Sequence, residues 1–371
     1  MTLRYEDLQI PDGQSEVIKQ ALDDVYSKTA VGNLSTAISD TFYGLNHRQQ
    51  PNSIPVNKDY HGLTFFTRPR LNLTRDNLRQ VRQFVPMLTS NSVSIPRAIR
   101  ALLDTDSRIE GHTSPLVDPH QAFIPILTNQ LISISGWPDI VAPTYTSKPG
   151  VYKESFSIID GVVQNYETYS LVANFRNIQG DPITALFLTW VLYASLVFQG
   201  VVVPYPDMVI ENEIDYQTRI YRLVLDPSRR FVQKIGACGA AFPWSVPMGT
   251  AFNIEAEQPI SRANEQISIT FQAIGAMYQD DILVDEFNRT VIMQNSDMGG
   301  ITDAERVRNG LKKIEHQLYG TFNHMGYPRI NPNTYELEWW VWKNEYDEML
   351  GSGARTPNAD DEDFGFIRQE Q

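Results

Sequence analysis

The chain has 371 residues, 42% of them hydrophobic, enough to bury a large core in two domains or in one domain with long arms. Acidic residues outnumber basic ones, 44 to 31, for a net charge of −13, and the basic clusters are small (Arg68 to Arg82, Arg229–Arg230), so a surface that grips nucleic acid is excluded. A single cysteine, Cys238, excludes an intrachain disulfide and fits a reducing compartment or assembly inside a cell; within GACGAAF it is expected to be small and buried.

The first residues, MTLRYEDLQIPDGQSE, are polar and do not read as a signal peptide. Residues 1–58 are expected to be an arm or linker. Val17, Ile18, Ala21, Leu22 and Val25 recur at helical spacing, and HRQQPNSIPVN then suits extended chain, lying on a neighbouring subunit or coiling on the surface. Residues 59–144 read as a mixed α/β accessory region. Leu63, Phe65 and Phe66 form a short strand ending at Pro69. A helix starts at Thr74, with Leu78, Val81, Phe84 and Val85 on one face and Arg75, Arg79 and Arg82 on another. Ile95–Leu103 is a second helix, and Phe123–Ile134 fits helix or strand equally.

Residues 145–290 carry the clearest pattern. VYKESFSIIDGVV and YETYSLVANFR read as strands. The second alternates Tyr169, Leu171, Ala173 and Phe175 against Ser170, Val172 and Asn174. Asp181-Pro182 supplies an N-cap and a first-turn proline. The helix that follows is apolar almost all round, so it must be covered, with Phe187 and Trp190 as its expected anchors. Ile183–Pro204 has no charge and could pass for a membrane span. The Gln199-Gly200 break and the lack of flanking Lys or Arg favour a buried helix to Phe198 and a strand from Val201. PDMVIENEIDYQ, TRIYRLVLD and FVQKIGACGAAF read as further strands. In the last strand Ile267, Ile269, Phe271 and Ala273 alternate with Ser268, Thr270 and Gln272. The pattern stops at Ile274–Met277, just before Asp280-Asp281.

Residues 291–371 change character. A capping box, Thr302-x-x-Glu305, opens a helix expected to run to Gly320 with Val307, Leu311, Ile314 and Leu318 inward. Trp339, Trp340 and Trp342 crowd one short stretch, as an intersubunit contact or as the edge of the core. The acidic tail ADDEDFGFIRQEQ reads as solvated unless something binds Phe364 and Phe366.

No catalytic constellation is visible: no P-loop, no GxSxG, no HExxH, and among the histidines only His112 and His120 lie close together. Catalytic, cofactor and metal residues are therefore expected to be none. The rival of another class is an enzyme or ligand-binding β-domain with a site scattered over His112, His120 and Asp215.

Three segments resemble the tail-tube fold of long-tailed bacteriophages. YETYSLVANFRNIQGDPITALFLTWVLYAS resembles its strand leading into a single packed helix. TRIYRLVLDPSRRFVQKIGACGAAFPWSVP resembles its central strands and a glycine–aromatic–proline turn (Gly239, Phe242, Pro243), and EQISITFQAIGAMYQ its terminal strand. The resemblance implies an α+β fold: a tail-tube-like antiparallel β-sandwich or barrel with one packed helix, an N-terminal arm and a helical C-terminal extension. It implies a non-enzymatic virion protein, assembled in the host cytoplasm as a hexameric ring whose lumen passes DNA. The extra length beyond a plain tube subunit points to the baseplate–tube junction, where the ring nucleates or forms the tube. Its partners would be its own copies, tube and baseplate hub proteins, sheath and tape-measure protein, with no membrane. Neck, terminator and baseplate-wedge proteins are the alternatives within the same class.

Overall fold

The computed structural model describes residues 61–106, 113–163, 167–252, 265–300, 302–319, 322 and 326–353; the side chains of 250, 251 and 351–353 are excepted. The arm over 1–58, His112, and Phe364 and Phe366 of the tail lie outside the described residues.

The fold is α+β, built on a six-stranded antiparallel sheet. Its strands are β1 (His61–Phe66), β2 (Leu131–Ser135), β5 (Thr168–Arg176), β6 (Ile220–Leu225), β7 (Val232–Ser245) and β8 (Gln266–Tyr278), in the order β1-β6-β7-β8-β5-β2. β3 (Thr144–Thr146) and β4 (Ser157–Ile159) pair only with each other, as a hairpin between β2 and β5. Both edge strands of the large sheet come from residues 59–144, which therefore share one sheet with 145–290.

The alternation in β5 and β8 does what the sequence predicts. The two strands pair from Thr168↔Ile274 to Arg176↔Gln266. Leu171, Ala173 and Phe175 thus stand opposite Phe271, Ile269 and Ile267 on one face, and all six are buried. Against that face packs the apolar helix (Pro182–Phe198), with Ile183, Leu186, Phe187, Trp190 and Tyr193 buried. Phe187 meets Phe175 and Phe271 at ring distances of 5.5 and 5.6 Å and stacks on Trp190 at 6.2 Å. The Trp190 indole N–H donates to the Tyr216 carbonyl (2.8 Å), so the polar end of this anchor is satisfied inside the core.

Gly275 explains why the alternation stops. Its φ of +68° lies in the left-handed region, and past it the strand turns over. Ala273 packs with the helix-side core, whereas Met277, of the same parity, packs on the second core. That second core lies under a helix at Asp281–Gln294 and a three-stranded C-terminal sheet of β9 (Leu311–Lys313), β10 (Tyr327–Ile330) and β11 (Leu337–Trp342), ordered β10-β11-β9. β1 serves both cores by simple alternation, giving Phe66 to the first and Phe65 to the second.

Several expectations are corrected. Asp181 precedes the apolar helix but does not cap it: it sits in the left-handed region (φ 49°), makes no capping bond, and its Oδ1 accepts from Asn177 Nδ2 (2.5 Å). The helix after Thr74 breaks at Val81, with an α-helical turn at Arg75–Gln80 and a 3-10 segment at Arg82–Leu88, leaving Val85 exposed. Phe123–Ile134 divides into a short helix, Pro125–Gln130, followed by β2. No strand starts at Val201. PDMVIE is a helix, Pro206–Glu211, because proline occupies its first turn and Asp207 joins Arg70 (2.5 Å). Gly239 to Pro243 forms no turn but lies within β7, where a Cβ on Gly239 would stand 3.1 Å from the Ile274 carbonyl oxygen. The capping-box helix ends at Arg308, because Gly310 (φ 89°) redirects the chain into β9. Leu311 and Ile314 are therefore buried from extended chain, and Val307 is exposed.

Candidate functional site

Three surface features stand out, and the first two follow from local sequence. The first is the outer face of β8, β5 and β2. Ser268, Thr270 and Gln272 stand opposite Asn174, Val172 and Ser170, and Asn174 and Val172 in turn stand opposite Ser133 and Ser135. All are exposed or half-exposed. Ser170 Oγ donates to Gln272 Oε1 (3.2 Å) and Asn174 Nδ2 to Ser133 Oγ (2.8 Å), so the polar row ties itself together across strands. Between the Thr168↔Ile274 and Asn174↔Ser268 pairs this face carries no ionisable side chain, on a chain with a net charge of −13.

The second feature is the β3–β4 hairpin. Its register, Thr144↔Ile159 to Thr146↔Ser157, is extended by Ser147 N–H donating to the Phe156 carbonyl (2.9 Å). The tip closes as a three-residue loop: Gly150 N–H donates to the Glu154 carbonyl (2.8 Å) and Lys153 N–H to the Gly150 carbonyl (3.0 Å). Both strands are exposed throughout, and Tyr145, Phe156, Ile158 and Ile159 face solvent.

The third is a groove of about 700 Å³ between residues 115–129, the start of β10 and β11. Leu116, Tyr319, Phe322 and Trp339 give it apolar walls, and Asp118 and Glu345 give it carboxylates. Burial pushes the Glu345 carboxyl up, and repulsion from Asp118 and Glu348 adds to the shift.

The aromatic candidates separate. Trp340 is core: 1% exposed, under the Arg306 guanidinium at 4.9 Å, its indole N–H donating to Glu338 (3.2 Å). Trp342 is half-buried and donates to the Tyr327 hydroxyl (3.0 Å). Trp339, pointing the other way along β11, reaches the groove. Asp215 is buried, accepts from the Tyr193 hydroxyl and has its carboxyl pushed up by burial, while His120 packs against Trp342 (6.0 Å between rings). They belong to different clusters. Among the described residues no group of His, Cys, Asp and Glu is placed to hold a metal ion, and no helix is long and apolar enough to cross a membrane. The sequence reading missed the hairpin tip and the groove. The tip could have been found from SKPGVYKES, where a turn centres on Val and Tyr in place of the usual small polar residues.

A family model described as "Putative phage tail tube protein" matches residues 13–354. No curated protein matches the chain. Among solved structures, the anti-feeding prophage cap (AFP tube terminating cap) is similar over 43% of this chain and 82% of its own, at 14% identity and a TM-score of 0.26. The sheath/tube terminator of an extracellular contractile injection system, PVC, in its extended state gives 43%, 87%, 14% and 0.24. The extended PVC sheath–tube complex gives 43%, 82%, 16% and 0.24. At these TM-scores none of the three bears on how this chain assembles. The family match, spanning nearly all of the sequence, is decisive: the chain belongs to the phage tail tube protein family and is a structural protein of the tail, not an enzyme.

Proposed function

We propose that the chain forms the wall of a tail tube as a hexameric ring, with the outer face of β8, β5 and β2 lining the lumen through which DNA passes. The observation that carries this is the uncharged polar stretch of that face between the Thr168↔Ile274 and Asn174↔Ser268 pairs, bounded by Arg176, on a strongly acidic chain. Lysines there would bind phosphate and stall the genome, and hydroxyls and amides let it slide. The outer edges of β1 and β2 pair with no other strand of the described sheet. A ring in which these edges meet those of the next copy covers them, as closed β assemblies do. Further copies above and below, a baseplate hub, a sheath and a tape-measure protein are the partners of such a ring. The expectation of a junction ring at the baseplate rested on length beyond a plain tube subunit. The family match takes in that length, so a tube subunit is the better-supported assignment.

The test is negative-stain electron microscopy and native mass of the detergent-free chain at high concentration, with a gold cluster on Ser268→Cys. Six-fold rings or short tubes with gold in the axial channel are expected. Gold at the outer rim refutes the lumen assignment, and a discrete monomer refutes a self-assembling tube subunit.

A further inference from the structure

The hairpin tip is built against the usual chemistry of turns. Val151 and Tyr152 occupy its two central positions and are 93% and 91% exposed. Lys153 takes the left-handed position (φ 62°), where Gly or Asn is normal. Two exposed apolar side chains flanked by Lys148 and Lys153 thus project from a hydrogen-bonded tip. Side chains so exposed are packed on little of the described chain.

The groove has the opposite character. Its apolar walls include Trp339 and Tyr319, and it carries two carboxylates, Asp118, beside the Arg68 guanidinium, and Glu345. Asp118 accepts from the Tyr327 hydroxyl (2.7 Å) and the His120 amide (2.8 Å), and the Arg68 guanidinium near it donates to the carbonyls of Ala101 (2.5 Å), Leu102 (3.0 Å), Gln121 (3.1 Å) and Pro119 (3.3 Å). Two buried polar atoms on residues that line the groove, Gln121 Oε1 and Thr128 Oγ1, have no hydrogen-bond partner among the described residues.

We infer that the Val151–Tyr152 tip of one copy docks in this groove of a second copy, with Lys148 and Lys153 meeting Asp118 and Glu345. The occupant is a copy of this chain because one molecule carries both halves: apolar tip to apolar groove, and lysines to carboxylates. A tyrosine at the centre of a contact is well suited to anchor it. The tip and groove are different surfaces, so the contact is head-to-tail and propagates from copy to copy. The inference rests on the tube reading, in which it supplies the contact between subunits.

The experiment mixes two full-length variants, Tyr152→Cys and Leu116→Cys, under mild oxidation. Both positions are exposed, so both variants fold, and the native thiol, Cys238, is buried. The docking predicts a disulfide-linked heterodimer at least about tenfold above a control pair with Val209→Cys in place of Leu116→Cys. Lys148→Glu with Lys153→Glu should cut that yield by about tenfold, and Glu345→Lys should restore it. Rings or tubes by electron microscopy with no cross-link above control overturn the docking and leave the ring intact. A cross-link without rings supports the docking and overturns the ring. A monomer with no cross-link overturns both.

Discussion

Glu338 offers the sharpest energetic prediction, because four groups converge on a side chain with no solvent exposure. It lies on β11 and accepts from Lys313 Nζ (2.9 Å), Arg329 Nη1 (3.0 Å), Asn331 Nδ2 (3.1 Å) and Trp340 Nε1 (3.2 Å). Burial alone would raise its carboxyl, but Lys313, Asn331 and Trp340 more than offset that and hold it below the usual carboxylate range. Glu338→Gln removes the charge and keeps the shape. Breaking a buried pair costs about 3–5 kcal/mol. Lys313 retains Glu336 at 3.3 Å and is partly exposed, so the lower end, about 3 kcal/mol, is expected. At roughly 2–4 °C per kcal/mol this is a fall in Tm of about 6–12 °C by calorimetry at pH 7. The acid limb provides the control. A depressed carboxyl contributes stability in full above its unfolded value of 4.5 and loses it as the pH falls through the folded value. The gap between wild type and variant should therefore close below pH 4.5. Equal Tm at pH 7, or a gap that persists in acid, would refute the account of this cluster.

Two further substitutions separate rival causes. At Asp181 the left-handed backbone predicts that glycine raises stability by up to about 1 kcal/mol in urea titrations, whereas alanine lowers it. A true N-cap would make glycine slightly worse than aspartate. Burial pushes the Cys238 thiol up to about 11, and the Ile220 amide donates to its sulfur (3.1 Å). A thiol reagent at pH 7.5 should leave the native chain unlabelled for hours and react fully in denaturant. Rapid native labelling would contradict the packing around β6 and β7.

The parts legible in sequence were those governed by local periodicity. β5, β8 as far as Ala273 and the apolar helix appear in the residue pattern because each turns to the same core with no competing signal. Misreadings occurred where one glycine or proline outvoted the pattern. Val307, Leu311, Ile314 and Leu318 fit a helix, yet Gly310 ends it and the same leucine and isoleucine serve β9 and the extended chain after it. The Asp281–Gln294 helix went unread although Asp280 caps it, its side chain accepting from the Ile282 amide (3.0 Å), and Leu283, Phe287 and Val291 lie at helical spacing. The groove was beyond reach for a different reason: its walls come from segments some 200 residues apart, brought together as when Gln121 Nε2 donates to the Gly326 carbonyl. The tryptophans show the boundary between the two cases. Their clustering was plain, but only the strand's alternation sends Trp340 inward and Trp339 to the groove.

The sheet edges and the hairpin would make different demands on an assembly. Edge-to-edge pairing around an axis closes once the rotation completes a turn, and every strand edge is then covered. A tip-to-groove contact along the axis does not close: each layer fills the grooves of one neighbour and presents its own to the other, so the stack stays open for growth at both ends. An open contact must remain exposed on any subunit awaiting assembly, and exposed apolar residues of this extent invite nonspecific association. The flanking residues answer that hazard. Lys148 and Lys153, against the single carboxylate of Glu154, leave every free tip net positive, so two tips repel, and Pro149 has no N–H with which to pair a stray strand. The same lysines that keep tips apart favour a groove bearing Asp118 and Glu345. One pair of charges would thus serve solubility before docking and specificity during it.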